Sequence, residues 1–141
     1  MKIQIKKVDK NAKIPQYAHD DDAGMDLFSI ENFVLTPGER RTCKTGIAMN
    51  IPKGFAGLIW DKGGIALNGG IKTMGGVVDS GYRGEVKVIL KNLSNKDYEI
   101  KRGQKVAQML IQKVELPVIK EVNNLDETSR GEDGFGSTGL R

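Results

Sequence analysis

Cysteine and histidine are almost missing from this chain, one of each in 141 residues. Cys43 has no intrachain partner for a disulfide, so the natural setting is a reducing compartment, the cytoplasm. His19 lies in the polar run Tyr17-Ala18-His19-Asp20 and reads as a solvated loop residue. A thiolate–imidazole zinc site is out of reach, and a Ser-His-Asp triad has that one candidate. Acid–base work therefore falls to carboxylates, with a hard cation such as Mg²⁺ as the natural helper. No apolar run approaches the ~20 residues of a membrane span. The first residues, Met1 to Lys7, alternate charge with apolar side chains and lack a signal peptide's hydrophobic centre. Aromatics make up 6%, and no basic stripe is interleaved with them. The net charge of +4 leans towards an anionic ligand but is too small to argue for nucleic acid.

What is present is a rhythm of short β-forming runs with turn signals about every ten residues, the pattern of an all-β domain. Ile3 and Ile5 alternate with polar residues, and Asn11 to Asp22 is a polar connection. Phe33-Val34-Leu35 stops at Pro37-Gly38, Gly46 to Ile51 stops at Pro52-Lys53-Gly54, and Phe55 to Trp60 follows. Further strands are expected at Ile71–Met74, Glu85–Leu90, Val106–Ile111 and Val118–Val122. Helix is limited to one short turn near Ile65–Asn68. Residues 1–122 read as one domain, long enough for a core. Residues 123–141 are polar and glycine-rich, unable to bury a core of their own, and read as a flexible arm.

The chain is organised around Gly75 to Glu85, a hairpin connection holding four glycines, Asp79 and Tyr82. Gly81 is expected to take φ > 0 and reverse the chain tightly. Bare backbone, an acid and an aromatic ring suit a small-molecule pocket; a plain glycine-rich hairpin with a surface Asp is the bland alternative. Asp26, among Met25, Leu27 and Phe28, is expected to be buried and to require a partner, unless it lies on the strand's wet face. Asp61-Lys62-Gly63-Gly64 offers backbone N–H groups beside a positive charge, as a phosphate chain requires, or is an ordinary loop. Gln108 interrupts an apolar run expected to be buried on both faces, so its amide needs a partner. In the arm, Phe135 stands alone among glycines with Arg130 before it and Ser137 and Thr138 after it. One stacking ring, one guanidinium and several N–H donors suit closure over an aromatic phosphate ester.

These blocks, in this order, resemble the trimeric deoxyuridine triphosphatases (dUTPases) over nearly the whole chain. Ala23-Gly24-Met25-Asp26-Leu27 is similar to the first family motif, Gly76 to Gly84 to the third, Gly103 to Gln108 to the fourth, and Arg130 to Gly139 to the fifth. The third and fifth are long and specific. The resemblance implies a β jelly-roll assembled as a homotrimer with active sites shared between subunits. It implies Mg²⁺-dependent conversion of dUTP to dUMP and pyrophosphate, which keeps uracil out of DNA and supplies dUMP for dTMP synthesis. It carries Asp79 over as the general base and Tyr82 as the residue packed on deoxyribose. Gly76, Val77, Val78 and Lys87 would read uracil's pairing edge, and Asp26 would hold Mg²⁺ through water. Lys62, Gly63, Gly64, Thr73 and Gln108 would line the substrate, with phosphates at Lys62, Gly64 and Gln108. Phe135 would stack on uracil, with Arg130, Gly136, Ser137 and Thr138 closing on the phosphates. The second motif departs: the family usually shows Pro-Arg-Ser-(Gly/Ser)-Leu-Ala, against Asp61-Lys62-Gly63-Gly64-Ile65-Ala66 here. Lysine keeps the charge without arginine's fork, and Gly63 lacks a hydroxyl. Two other readings share these blocks. A dCTP deaminase-related enzyme would place a catalytic glutamate where Ile89 stands, and a nucleotide-sensing paralogue of low activity would bind without turnover.

Overall fold

The computed structural model describes residues 1–141. Eleven short strands and one helix follow each other as β1 (Gln4–Lys7), β2 (Met25–Phe28), β3 (Phe33–Leu35), β4 (Arg40–Lys44), β5 (Ile47–Asn50), β6 (Phe55–Trp60), α1 (Gly63–Gly69), β7 (Ile71–Met74), β8 (Val77–Val78), β9 (Lys87–Asn92), β10 (Tyr98–Ile100) and β11 (Lys105–Lys113). They form a four-stranded sheet β2-β11-β6-β8, a three-stranded sheet β4-β9-β7, and the ribbons β1-β5 and β10-β3. Pairing is antiparallel throughout, in a jelly-roll-like arrangement. Period-two alternation explains the packing. Val88 and Leu90 of β9 and Ile71 of β7 turn inward, and meet Leu27, Ile59, Val106 and Met109 of the larger sheet in one core.

Most turns fall where proline and glycine predicted them, and α1 begins at Gly63, two residues before the expected turn. Gly70, at φ 62°, ends it by donating its N–H to the Ala66 carbonyl at 3.0 Å. Four expectations are corrected. Val118–Val122 forms no strand: regular structure ends at Lys113, and Val118 and Ile119 are each 95% exposed. Their branched side chains favour extension, but no strand edge of this chain takes them up. The run Val106–Ile111 is not buried on both faces, since Gln108, Leu110 and Ile111 are half-buried. Gly81 does not take positive φ; Gly75 (69°) and Gly76 (109°) do, earlier in the same loop. Strands β4 and β10 were not expected, because Arg40–Lys44 has Cys43 as its one apolar residue and Tyr98–Ile100 is too short a run to signal a strand; they form by pairing with β9 and β3.

Candidate active site

Strands β7 and β9 form the arms of the hairpin, in register from Ile71↔Asn92 to Met74↔Ile89. The chain between them does not simply turn. Positive φ at Gly75 and Gly76 swings Val77 and Val78 across to the other sheet, where they pair with Leu58 and Gly57 of β6. Ile59 donates its N–H to the Gly76 carbonyl at 2.8 Å. A Cβ on Gly76 would lie 2.7 Å from the Ile59 carbonyl oxygen, so φ and space both require glycine. The loop then closes on itself: Tyr82 donates its N–H to the Asp79 carbonyl (3.1 Å) and its hydroxyl to the Glu85 carbonyl (2.9 Å). The Arg83 guanidinium holds the Ser80 carbonyl at 2.6 Å and Asn50 Oδ1 at 2.8 Å.

This loop roofs a pocket of about 330 Å³ between the two sheets. Gly76, Val77, Val78, Asp79, Tyr82 and Lys87 all line it, so the structure gathers these sequence-predicted residues at one place. Ile59, Met74, Val86 and Ile89 add an apolar surface of the kind a planar ring requires. Ile89 occupies the position where a deaminase reading asks for a glutamate. Glu85 also lines the pocket, but its Oε1 accepts the Gly46 N–H at 2.9 Å.

A second cluster forms where β2, β11 and the end of β6 meet. Asp26 is buried, 1% exposed, as its apolar neighbours implied, and its partners are two lysines. Lys62 Nζ lies 2.5 Å from Oδ1 and Lys105 Nζ lies 2.7 Å from Oδ2. Burial alone would push the Asp26 carboxyl up; the two ammonium groups outweigh it and hold the pKa below the usual carboxylate value. The Lys105 contact is an ion pair without hydrogen-bond geometry, so Oδ2 keeps unused acceptor capacity. Gln108 stands opposite Asp26 on one side and Trp60 on the other, and its Nε2 donates to the Asp61 carbonyl at 2.9 Å. Gly24 makes room for it: a Cβ there would meet Gln108 Oε1 at 2.5 Å.

The chemistry of this cluster fits Mg²⁺ in one way only. No three His, Cys, Asp or Glu side chains converge. An ion beside Asp26 would therefore take its inner ligands from water and a bound anion, leaving Asp26 to accept from the hydration shell. Lys62 caps α1 with extended backbone (φ −88°, ψ 119°), and Gly63 and Gly64 face open space. Thr73 is 8% exposed and lines a second pocket of about 140 Å³ that shares Ile59, Gly76 and Val77 with the first, its N–H and hydroxyl both donated to Asp61. The arm is apart from the pocket. Arg130 Nε donates to the Asp133 carbonyl and Ser137 N–H to the Gly134 carbonyl, while Phe135, at φ 49°, is fully exposed. Two residues of this region were missed in the sequence, Lys105 and Asp61. Each stands inside or beside a recognised block, but only the register across β2, β11 and β7 shows what it touches.

Compared with known proteins, the family model described as dUTPase matches residues 10–139. The chain is 45% identical over 141 residues to the deoxyuridine 5'-triphosphate nucleotidohydrolase of Clostridium kluyveri, covering 99% of each. It is 43% identical over 139 residues to that of Clostridium tetani, covering 97% of this chain and 96% of the relative. Among solved structures it matches the Staphylococcus bacteriophage 80alpha dUTPase with dUpNHpp at TM-score 0.93 and 30% identity, over 99% of both chains. A variant dUTPase from phage phi11 of S. aureus, solved for the coordination of a structural Mg(II) ion, matches at TM-score 0.82 and 28% identity, over 88% of this chain and 98% of that one.

Proposed function

The chain belongs to the dUTPase family and hydrolyses dUTP to dUMP and pyrophosphate; on that premise we propose how its residues divide the work. Asp79 is the general base. It orients a water and takes its proton as the water oxygen bonds to the α-phosphorus; the bond to the bridging oxygen breaks, and that oxygen leaves with pyrophosphate. The observation that carries this reading is the pocket itself, in which Asp79 and Tyr82 share one loop over an apolar floor of Ile59, Met74 and Ile89. Uracil presents acceptor, donor and acceptor along its pairing edge, and hairpin backbone at Gly76 to Val78 and at Lys87 supplies the complement. Tyr82 packs on the sugar, leaving no room for a 2′-hydroxyl.

Lys62, Gly64 and Gln108 take the phosphates, with Gly63 beside the bond that breaks; Thr73, held by Asp61, lines the substrate from the smaller pocket beside Gly76 and Val77. Asp26 would hold Mg²⁺ through water, and the ion would supply charge neutralisation to the bound triphosphate. Residues 123–141 form the arm that brings Phe135 onto uracil and Arg130, Gly136, Ser137 and Thr138 onto the phosphates. Since the arm's hydrogen bonds are internal here, it is read as serving a neighbouring subunit of a homotrimer. Hairpin, phosphate cluster and arm then come from different chains. A buried Cys43 thiol, its pKa raised by burial to about 11, fits the reducing cytoplasm in which uracil is kept out of DNA.

The test is pyrophosphate release with Mg²⁺ across deoxynucleoside and ribonucleoside triphosphates, for the natural chain and Asp79→Asn. dUTP is expected to be the preferred substrate. The variant should still bind it while turnover falls by about 10²–10⁴-fold, the usual worth of a general base. Near-natural turnover in Asp79→Asn would remove Asp79 from the mechanism, and ammonia release from dCTP would favour the deaminase reading.

A further inference from the structure

One carboxylate ties the phosphate cluster to the hairpin. Asp61 follows β6, in the four-stranded sheet, and its side chain crosses to β7, the outer strand of the three-stranded sheet. Oδ1 accepts the Thr73 N–H at 2.6 Å and the Thr73 hydroxyl at 2.8 Å, and Oδ2 takes the Lys72 ammonium at 2.7 Å. Strand β7 has β9 as its single ladder neighbour, so a buried N–H on its far side needs a partner from outside the sheet. Asp61 is that partner. Lys72 also faces Lys91, which faces Arg40, a row of cations across three strands that repel one another. Asp61 sets a negative charge at its end.

The same residue reaches the phosphate cluster by its backbone. Its carbonyl accepts Gln108 Nε2 at 2.9 Å, and the next residue is Lys62, paired with Asp26. We infer that Asp61 is a positioning residue: anchored to Lys72 and Thr73 of β7, it holds Lys62, Gly63, Gly64 and the Gln108 amide in place to meet the phosphates of a substrate whose base sits in a neighbouring subunit's hairpin. This rests on the reading of Lys62, Gly64 and Gln108 as phosphate contacts. The family's usual motif has proline at this position, and a proline side chain accepts no hydrogen bond, so the tie belongs to the form the second motif takes in this chain.

The experiment compares Asp61→Ala and Asp61→Asn with the natural full-length chain. It measures kcat and KM for dUTP with Mg²⁺, equilibrium affinity for dUMP and for dUpNHpp, and thermal melting. In Asp61→Ala, kcat is expected to fall by up to about 10²-fold, the scale of a small misplacement of reacting groups. Affinity for dUpNHpp, which spans the phosphate cluster, should fall more than affinity for dUMP. Asp61→Asn keeps an acceptor for Thr73 but no charge for Lys72, and should recover part of both losses. If Asp61→Ala does not fold, Asp61→Asn and Thr73→Val carry the same comparison. A folded variant with natural kcat and KM overturns the proposal. So does an equal loss for the two ligands, which would make Asp61 a clamp for stability alone. A natural chain that binds both ligands yet hydrolyses no dUTP would overturn the catalytic reading, while the difference in affinities still decides the role of Asp61.

Discussion

At the scale of single residues, the most informative position is Gly63, where a side chain is missing rather than altered. The family's usual second motif has a serine there, and a hydroxyl donor to oxygen as charge develops on the departing pyrophosphate would act on the transition state. One preorganised donor of that kind is worth roughly 2.7–4 kcal/mol, or about 10²–10³ in rate. The structure decides whether the missing group fits. Gly63 is not among the glycines with positive φ, and a Cβ built on it meets nothing within 4 Å. Serine is therefore accommodated without strain, in contrast to Gly76, where any side chain collides with the Ile59 carbonyl. The unshielded N–H of Gly63 and a water in the place of the side chain offset part of the loss. Gly63→Ser is expected to raise kcat modestly, by less than the full donor value, and to leave KM for dUTP nearly unchanged, because a donor used only in the transition state acts on turnover. Steady-state kinetics beside the natural chain, with a circular-dichroism check of folding, measure this. A clear loss of rate in a folded variant would mean that the loop before α1 runs differently here from the family's second motif.

At the scale of elements, the chain after Lys113, the arm included, differs from everything before it. Leu116, Val118, Ile119 and Leu125 are exposed, and the glycines from Gly131 onward make only local turns. Such a segment has few contacts to lose, so it can rearrange onto a ligand or a neighbouring chain, whose contacts must offset the entropy of ordering it. Deleting residues from Arg130 is expected to abolish most dUTP turnover while sedimentation shows the same assembly as the natural chain. Dissociation of the truncated protein to monomers would identify the arm as a structural strap instead. This element also marks the boundary of what the sequence discloses. Strand β6 was legible from the Pro52-Lys53-Gly54 turn before it, β7 from its branched residues between glycines, and the hairpin around Asp79 from its glycine spacing. The strand expected at Val118–Val122 was not realised because a strand needs an edge, and the edge is not in its own sequence. Lys105 and Asp61 were illegible for a related reason. A lysine and an aspartate carry no intrinsic signal, and their roles exist only through cross-strand register, Lys105 beside Phe28 and Asp61 against Thr73.

At the scale of the whole molecule, the residues proposed for the site fall in three places within one chain. The hairpin pocket collects Gly76, Val77, Val78, Asp79, Tyr82 and Lys87; Asp26, Lys62 and Gln108 lie in a separate cluster; and Phe135 points into solvent on an arm bonded only to itself. An enzyme that must grip a base, a sugar and three phosphates at once needs all three groups around one ligand. Sharing sites between subunits resolves this without refolding any element, and it has a consequence for mixed assemblies. Asp79→Asn chains keep a sound arm on a dead hairpin; chains deleted from Arg130 keep a sound hairpin with no arm. Each population alone should be nearly inactive. After subunit exchange, some sites would pair an intact hairpin from one chain with an intact arm from another, and part of the natural dUTP turnover should return. Exchange is verified by mass-tagging one population and detecting mixed oligomers, and activity is read as pyrophosphate released. If mixed oligomers form and activity does not return, each site is built within a single chain, and the arm must fold back over its own hairpin when dUTP binds.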